Sequence, residues 1–104
     1  MYILNITLNI DDSVHSSCLE WLKSALPSFL VENGLSNDFS ILQVMSEETQ
    51  NGSTYSLQFH LSNLEKFPLF EEAYNNVIAT GLYTNFQDKV LDFRSTLKRV
   101  NWEL

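Results

Sequence analysis

The chain has 104 residues, of which 44% are apolar and 18% charged, and its formal net charge is −7. This size and composition predict a single globular domain spanning residues 1–104. The acidic balance excludes a sequence-independent grip on nucleic acid and disfavours anionic membranes, because both depend on Lys and Arg. The lone cysteine, Cys18, excludes an internal disulfide, and the first residues resemble neither a signal peptide nor a membrane span, so we expect a cytoplasmic protein.

The first strand is predicted over residues 2–10, where apolar and polar side chains alternate and the polar row includes Asn5, Thr7 and Asn9. A helix follows, with Asp11 and Asp12 as cap and first-turn charge. Its buried stripe is predicted as Val14, Cys18, Trp21 or Leu22, Ala25 and Phe29. Pro27 removes one backbone hydrogen bond, so we expect a kink or a second short helix there, ending near Gly34.

Residues 39–48 predict a second strand that carries apolar side chains on both faces, so we expect both sides to be covered. Asn51-Gly52 is typical of a two-residue type I′ turn, which would pair this strand with the next. The third strand, residues 54–61, alternates regularly. Its polar row comprises Thr54, Ser56, Gln58 and His60.

A second helix is predicted after Ser62, because Ser62 and Glu65 fit a capping box and apolar residues continue at helical spacing. Pro68 leaves its start open: the helix begins at Ser62 and bends, or it begins with Pro68 at its first position. We expect Gly81 to end it. Residues 89–99 alternate again and predict a fourth strand.

The order βαββαβ predicts an α+β protein with a ferredoxin-like fold. Right-handed crossovers then give an antiparallel sheet with strand order 4-1-3-2 and both helices on one face. Strands one and three become central, so their polar rows are expected to line the helix-free face. We expect the fourth strand to add Asp92, Arg94 and Thr96 to that face.

Five segments of the chain are similar to one protein family: YILNIT (residues 2–7), DDSVH (11–15), WLK (21–23), TYSLQF (54–59) and FQDKVLDFR (86–94). Together they resemble the domain-of-unknown-function 4286 family of small bacterial proteins. The chain departs from that pattern at Cys18, where an aromatic is common, and at Gln87, where glycine is usual. The resemblance implies no particular activity. The arrangement of strands and helices in that family is similar to that of dimeric α+β barrel proteins, but a shared fold does not fix a function.

No catalytic or metal-binding motif stands out in the sequence. Cys18 lies on the apolar stripe of the first helix and is interpreted as a small buried hydrophobic side chain. His15, His60 and Cys18 are too few and too widely spaced for zinc, so we predict no metal and no cofactor. Acylphosphatases share the βαββαβ order but hold phosphate with an arginine in the first loop, where residues 11–13 are acidic here.

The candidate ligand-binding residues are the polar side chains that central strands bring together: Asn5, Gln58, His60 and Arg94, with Asp92 beside them. Three interpretations of this face stay open: it is solvated, it is a homodimer seam, or it is a pocket enclosed by such a dimer. The two-sided second strand favours a homodimer, with its interface at Ile41, Gln43 and Met45.

We therefore predict a homodimeric binding or interaction module. The alternative is an enzyme without an elaborate cofactor, similar to antibiotic-biosynthesis-type monooxygenases, in which His60, Asn5 and Arg94 orient a small-molecule substrate. A third hypothesis is docking onto another protein through the free edge of the second strand.

Overall fold

The computed structural model describes residues 2–34, 38–45 and 52–102. In this part of the chain the elements are β1 (Tyr2–Ile10), α1 (His15–Asn33), β2 (Asp38–Gln43), β3 (Ser53–Leu61), α2 (Lys66–Tyr74), α3 (Thr80–Phe86) and β4 (Val90–Lys98). A π-helical segment, Asn75–Ala79, joins α2 to α3 without a break, and short 3-10 turns precede α1 and β4. The predicted α+β class is confirmed.

The strands form one antiparallel sheet in the order β2-β3-β1-β4, which reads 4-1-3-2 from the other edge. The central strand β1 sets the register of its neighbours. Ile6 lies opposite Leu57 of β3 and opposite Arg94 of β4. Directly opposed residues of an antiparallel pair point to the same side of the sheet, so these three side chains share one side.

The helices cover one side of the sheet, here called the helix side. The opposite side, which no described element covers, is called the helix-free face. Every second residue of β1 from Leu4 to Ile10 is buried against the helices, and so are Leu57, Phe59 and Leu61 of β3. The helices add Cys18, Leu22, Leu26, Phe29, Phe67, Phe70, Tyr74, Ile78 and Leu82 to this core. The alternation of β1 and β3 is therefore confirmed.

Helix α1 runs unbroken through Pro27, so the expected second short helix is wrong. The backbone carbonyl that loses its partner at Pro27 belongs to Lys23, four residues earlier. Both residues are exposed, so water can satisfy that carbonyl and the helix continues. The helix ends as expected before Gly34, whose φ of +66° suits a left-handed cap.

The second helical stretch differs from its prediction at both ends. It begins at Lys66, so neither of the two expected starts, Ser62 or Pro68, is correct. Pro68 is the third residue and lies in the first turn, where a missing N–H costs nothing. The helical stretch also continues past Gly81 to Phe86. The predicted capping box and the predicted stop at Gly81 are therefore wrong.

The π segment has a physical reason in the spacing of the buried side chains. From Phe70 onward they recur every four residues: Phe70, Tyr74, Ile78 and Leu82. An α-helix turns 100° per residue, so such a stripe drifts by about 40° at each step. A π turn holds more residues, and Asn75–Ala79 thus returns the stripe towards the sheet. The Thr80 hydroxyl supports it by donating a hydrogen bond of 2.7 Å to the Asn75 carbonyl.

Gly81 lies inside the helix because of packing. A Cβ atom added there would lie 2.3 Å from the Trp21 ring, so only glycine lets the helix and the indole come this close. The low helix propensity of glycine favours a helix end at Gly81, and the contact with Trp21 overrides that preference.

We expect Gly81→Ala to lower the free energy of unfolding by about 1–3 kcal/mol, because the added methyl overpacks the Trp21 ring. Helix propensity alone predicts the opposite sign, a gain of about 1 kcal/mol. Urea unfolding followed by circular dichroism measures the difference. In a Trp21→Phe background, where the outer part of the indole is absent, the same substitution should be neutral or stabilising. A more stable Gly81→Ala protein in the wild-type background would contradict the contact.

Strand β2 is shorter than predicted, because it ends at Gln43 rather than continuing to residue 48. It pairs with β3, as expected. The predicted strand residues 46–48 and Asn51 of the predicted turn lie outside the described residues. Gly52 has a φ of +99°, and a Cβ atom there would lie 2.5 Å from the Ile10 carbonyl oxygen.

Gln87, in the turn between α3 and β4, has a φ of 52° and a ψ of −133°, a combination that residues other than glycine rarely adopt. The turn delivers the chain into β4, whose first residue, Val90, lies opposite Ile10. The strain of Gln87 is therefore stored where the register of β4 is set.

We expect Gln87→Gly to raise the free energy of unfolding by about 1 kcal/mol, because relief of a strain of about 1–3 kcal/mol exceeds the added backbone entropy of about 0.5–1 kcal/mol. Thermal denaturation followed by circular dichroism checks this. Gln87→Ala is the matched control, since it removes the amide but keeps the strained backbone. An equal gain from Gln87→Ala would show that the backbone is not the cause.

Candidate functional site

The register of β4 corrects one prediction about the polar face. Asp92 and Arg94 lie opposite Leu8 and Ile6 of β1, both fully buried beneath the helices, and Thr96 lies opposite Leu4. These three β4 side chains are therefore on the helix side. Their predicted place on the helix-free face is wrong, and Arg94 does not share a surface with Asn5, Gln58 and His60.

Arg94 is held on the helix side by three neighbours. Its guanidinium donates a hydrogen bond of 3.2 Å to Asp92 and lies 3.6 Å from Glu71 of α2. It also stacks over the Tyr74 ring, 5.2 Å from the ring centre. A cation over an aromatic face and two carboxylates make this a favourable site for a partly buried arginine. Arg94 thus ties the edge strand to helix α2.

The helix-free face consequently receives the apolar row of β4. Leu91, Phe93 and Leu97 lie opposite Asn9, Thr7 and Ile3 and are 48%, 61% and 41% exposed. Leu42, on the other edge strand, adds a side chain that is 50% exposed. Sequence reasoning missed these residues as surface groups. Alternation along a strand does not show which of its two rows faces the core. The one signal in the sequence was the pair Asp92 and Arg94, whose opposite charges can compensate each other when their row faces the helices.

The centre of the helix-free face is a network of short polar side chains. The Asn5 amide donates to Thr7 at 3.2 Å and to Ser95 at 3.3 Å. The Ser56 hydroxyl donates to the Asn5 amide oxygen and accepts from the Gln58 amide at 3.4 Å. The predicted residues Asn5 and Gln58 are therefore brought together through Ser56, while a ligand-binding role for them stays a prediction.

Charge is nearly absent from the helix-free face. Among the described strand residues on this side, the titratable groups are Asp38 and His60, which are cross-strand partners at one corner. The helix side, in contrast, carries exposed or partly exposed acids on its helices, including Glu20, Glu32, Glu71 and Glu72. A chain with a net charge of −7 thus keeps one flat surface almost neutral.

The predicted interface residues lie at the edge of the sheet. Ile41 and Gln43 are opposite Leu57 and Tyr55 and so belong to the helix side of β2, where Ile41 is 48% exposed. Met45 follows the strand and is 86% exposed. Their role at a dimer interface stays a prediction.

Three cavities between described residues lie away from the polar network. One of about 250 Å³ lies between α3 and β4, with Leu82, Tyr83, Gln87 and Arg94 in its lining. Others lie at the end of β4 and between α1 and α2, and none of the three is lined by Asn5, Gln58 or His60. Within the described residues, no three His, Cys, Asp or Glu side chains come together as metal ligands would.

Two ionisable groups in the core are kept neutral. Cys18 is fully buried, and burial raises the pKa of its thiol to about 11. Burial, and secondarily the Asp92 carboxylate, raises the pKa of the Tyr74 hydroxyl far above its usual value. A thiol with a raised pKa is a poor nucleophile, which agrees with Cys18 as a core side chain. No described group forms a hydrogen bond with the Tyr74 hydroxyl.

We expect Tyr74→Phe to raise the free energy of unfolding by about 1 kcal/mol, because it removes a buried hydroxyl that has no partner. The ring under Arg94 is retained, so the cation–aromatic contact survives. Tyr55→Phe is the matched control: its hydroxyl lies 2.7 Å from His15 Nε2, and its loss should cost about 1 kcal/mol. Urea unfolding of both variants tests the contrast. Destabilisation by Tyr74→Phe would mean that the hydroxyl has a partner.

The fold and this face define a small α+β protein with a one-sided sheet whose bare face is neutral and partly apolar. The chain belongs to the family described as Domain of unknown function (DUF4286), whose model matches residues 1–100. The predicted family membership is confirmed. A search of curated proteins gave no match. None of the helices in the described part of the chain is long and apolar enough to cross a membrane.

One solved structure that resembles the chain is CPII, a nitrogen regulatory PII-like protein from Thiomonas intermedia K12, bound to ADP, AMP and bicarbonate. The two share 9% sequence identity, and the match covers 97% of this chain and 98% of that one. The TM-score is 0.37, so the likeness is weak.

Proposed function

We propose that the protein is a homodimeric interaction module of the cytoplasm that associates through the helix-free face of its sheet. The observation that carries the proposal is the exposed apolar row of Leu91, Phe93 and Leu97 on that face. Apolar side chains in rows on a flat sheet face are typical of a surface that another sheet covers.

Charge supports a second copy of the chain as the partner. Copies that each carry −7 repel one another, and contact through the acidic helix side would bring carboxylates together. The helix-free face avoids this cost, because its one carboxylate, Asp38, lies at a corner beside His60 among the described residues. Cores of protein interfaces are likewise depleted in charge.

The size of the face is sufficient for a dimer. Three strands of nine residues and one of six, at about 4.8 Å between strands and about 3.3 Å per residue, give a surface of about 520 Å². Two such faces bury about 1,040 Å² in projection, which reaches the roughly 1,000 Å² expected of a specific interface. The polar network at its centre keeps its hydrogen bonds within each copy, so little is lost when water leaves.

The alternative of an enzyme with a pocket on this face is weakened. It relied on Arg94 to orient a substrate beside His60 and Asn5, and Arg94 is bound to Asp92 and Glu71 on the helix side. Asn5, Ser56 and Gln58 bind one another and carry no charge.

We expect the wild-type protein to have a mass of about 24 kDa in solution, twice the chain mass of 12.0 kDa, and Phe93→Glu to be a monomer. The substitution would place a carboxylate from each copy in an apolar seam, weakening the dimer at least about 100-fold, or about 2.7 kcal/mol. Light scattering coupled to size-exclusion chromatography at micromolar concentration measures both masses.

Thr96→Glu is the matched control, since it adds the same charge to an exposed position on the helix side of the same strand. It should stay dimeric. A monomeric wild-type protein would refute the dimer. A dimer that survives Phe93→Glu but dissociates with Ile41→Glu would move the interface to the edge seam of Ile41, Gln43 and Met45.

A further inference from the structure

We infer that the two-fold axis of this dimer runs across the strands, so that β4 of one copy packs on β4 of its partner. The inference rests on the proposed dimer and specifies how the second copy sits on the helix-free face. Two sheets packed face to face with aligned strands allow two arrangements. An axis across the strands sets each strand on its own counterpart, whereas an axis along the strands sets β4 on the partner's β2.

The pairing register divides the helix-free face into rows that cross all four strands. One row contains Ser95, Asn5, Gln58 and Ser40, and the next contains Phe93, Thr7, Ser56 and Leu42. Each row therefore has one end on β4 and the other on β2. The first row ends in small side chains at both edges, and the second ends in large ones.

An axis across the strands, midway between these two rows, places each row on the other. Phe93 then meets the partner's Ser95, Leu42 meets the partner's Ser40, and Leu91 meets the partner's Leu97. Phe93 and Leu42 thus each face a serine, which suits interdigitated packing, and Leu91 with the partner's Leu97 adds an apolar pair. In the centre, Asn5 meets the partner's Thr7, so polar groups face polar groups.

An axis along the strands gives poorer contacts for the same face. Phe93 would meet the partner's Leu42 while Ser95 met the partner's Ser40, so one pair would be overfilled and the other would leave a gap. When two copies of β4 pack antiparallel to each other, Phe93 faces Ser95 and Leu91 faces Leu97. A parallel arrangement of the two copies would not give these pairs.

The two arrangements predict different cross-links from single-cysteine variants. Across the strands, Ser95→Cys lies near its own counterpart, and so does Ser40→Cys. Along the strands, each of these positions is about 14 Å away laterally from its counterpart, or three strand spacings, and Ser95→Cys instead faces Ser40→Cys. The native Cys18 is fully buried, so the wild-type protein serves as the unlinked control.

The test uses a short bismaleimide on each variant alone and on a mixture in which one variant carries an affinity tag. A bismaleimide is suitable because packed sheets lie about 10 Å apart, farther than a disulfide can bridge. We expect 95–95 and 40–40 links, each at least about fivefold more abundant than the mixed 40–95 link, because of the lateral offset. Thr96→Cys, on the helix side of β4, should give no link.

Light scattering on the same variants tests the dimer itself separately from the arrangement of its two copies. A dimer that yields mainly the mixed 40–95 link would overturn the arrangement and leave the proposed dimer standing. A dimer with links from Thr96→Cys and none from Ser95→Cys or Ser40→Cys would also overturn it, since the interface would then be elsewhere. A monomeric wild-type protein would instead refute the proposed function itself.

Discussion

The register of β4 on β1 is the constraint on which the surface of this protein depends. Arg94 lies opposite Ile6, and a shift by one residue would exchange the two rows of β4 between the sides of the sheet. The register is fixed at the start of the strand, where the Asp11 amide donates a hydrogen bond of 2.9 Å to the Lys89 carbonyl. The strained turn at Gln87 brings the chain to that point. The composition of both sides of the sheet follows from it.

This register has a different effect on stability on each side of the sheet. On the helix side, the stem of Arg94 can cover the Tyr74 ring while its head meets Asp92 and Glu71, so a charged group is accepted next to the core. On the helix-free face, Phe93 and its two apolar neighbours stay half exposed, which forgoes about 1 kcal/mol each relative to burial. That loss is recovered only if another surface covers them. An isolated chain would be more stable with the rows exchanged, provided the ion pairs found other partners.

Patterns with one physical cause were predictable from the sequence. The alternation of β1 and β3 gave the central strands and the correct buried rows, because both strands are flanked by others and face one core. Family segments and βαββαβ order gave the class of fold. Three features escaped because they depend on the folded environment of a residue rather than on the local pattern. Gly81 is helical because Trp21 packs on it, the helix passes Pro27 because water reaches the freed carbonyl, and Arg94 faces inward because Glu71 and Tyr74 are there.

Three of the four candidate residues, Asn5, Gln58 and His60, were placed on the correct side of the sheet, and Arg94 was not. Asn5 and Gln58 do share the helix-free face, since their strands were placed correctly, whereas Arg94 was assigned to it by the assumption that apolar rows point inward. That assumption holds for a sheet whose apolar rows all pack against its own helices, and β4 departs from it. In the proposed dimer, the second copy would cover the exposed row of β4.

The position of Asp92 and Arg94 on the helix side also protects an edge of the sheet from pairing with a further strand. An edge strand with free backbone groups invites pairing with any other strand, and proteins oppose this with short strands and inward-facing charges. Strand β2 has six residues, and β4 places Asp92 and Arg94 on the helix side. A strand added beside β4 would have to pass close to this ion pair, whereas a sheet laid on the helix-free face meets only neutral side chains over most of its area. Docking through the edge of β2 or β4 is therefore opposed by the features that leave the face free. The proposed association therefore uses the face of the sheet rather than its edges. The register that sets Arg94 opposite Ile6 accounts both for the protected edge and for the nearly neutral face.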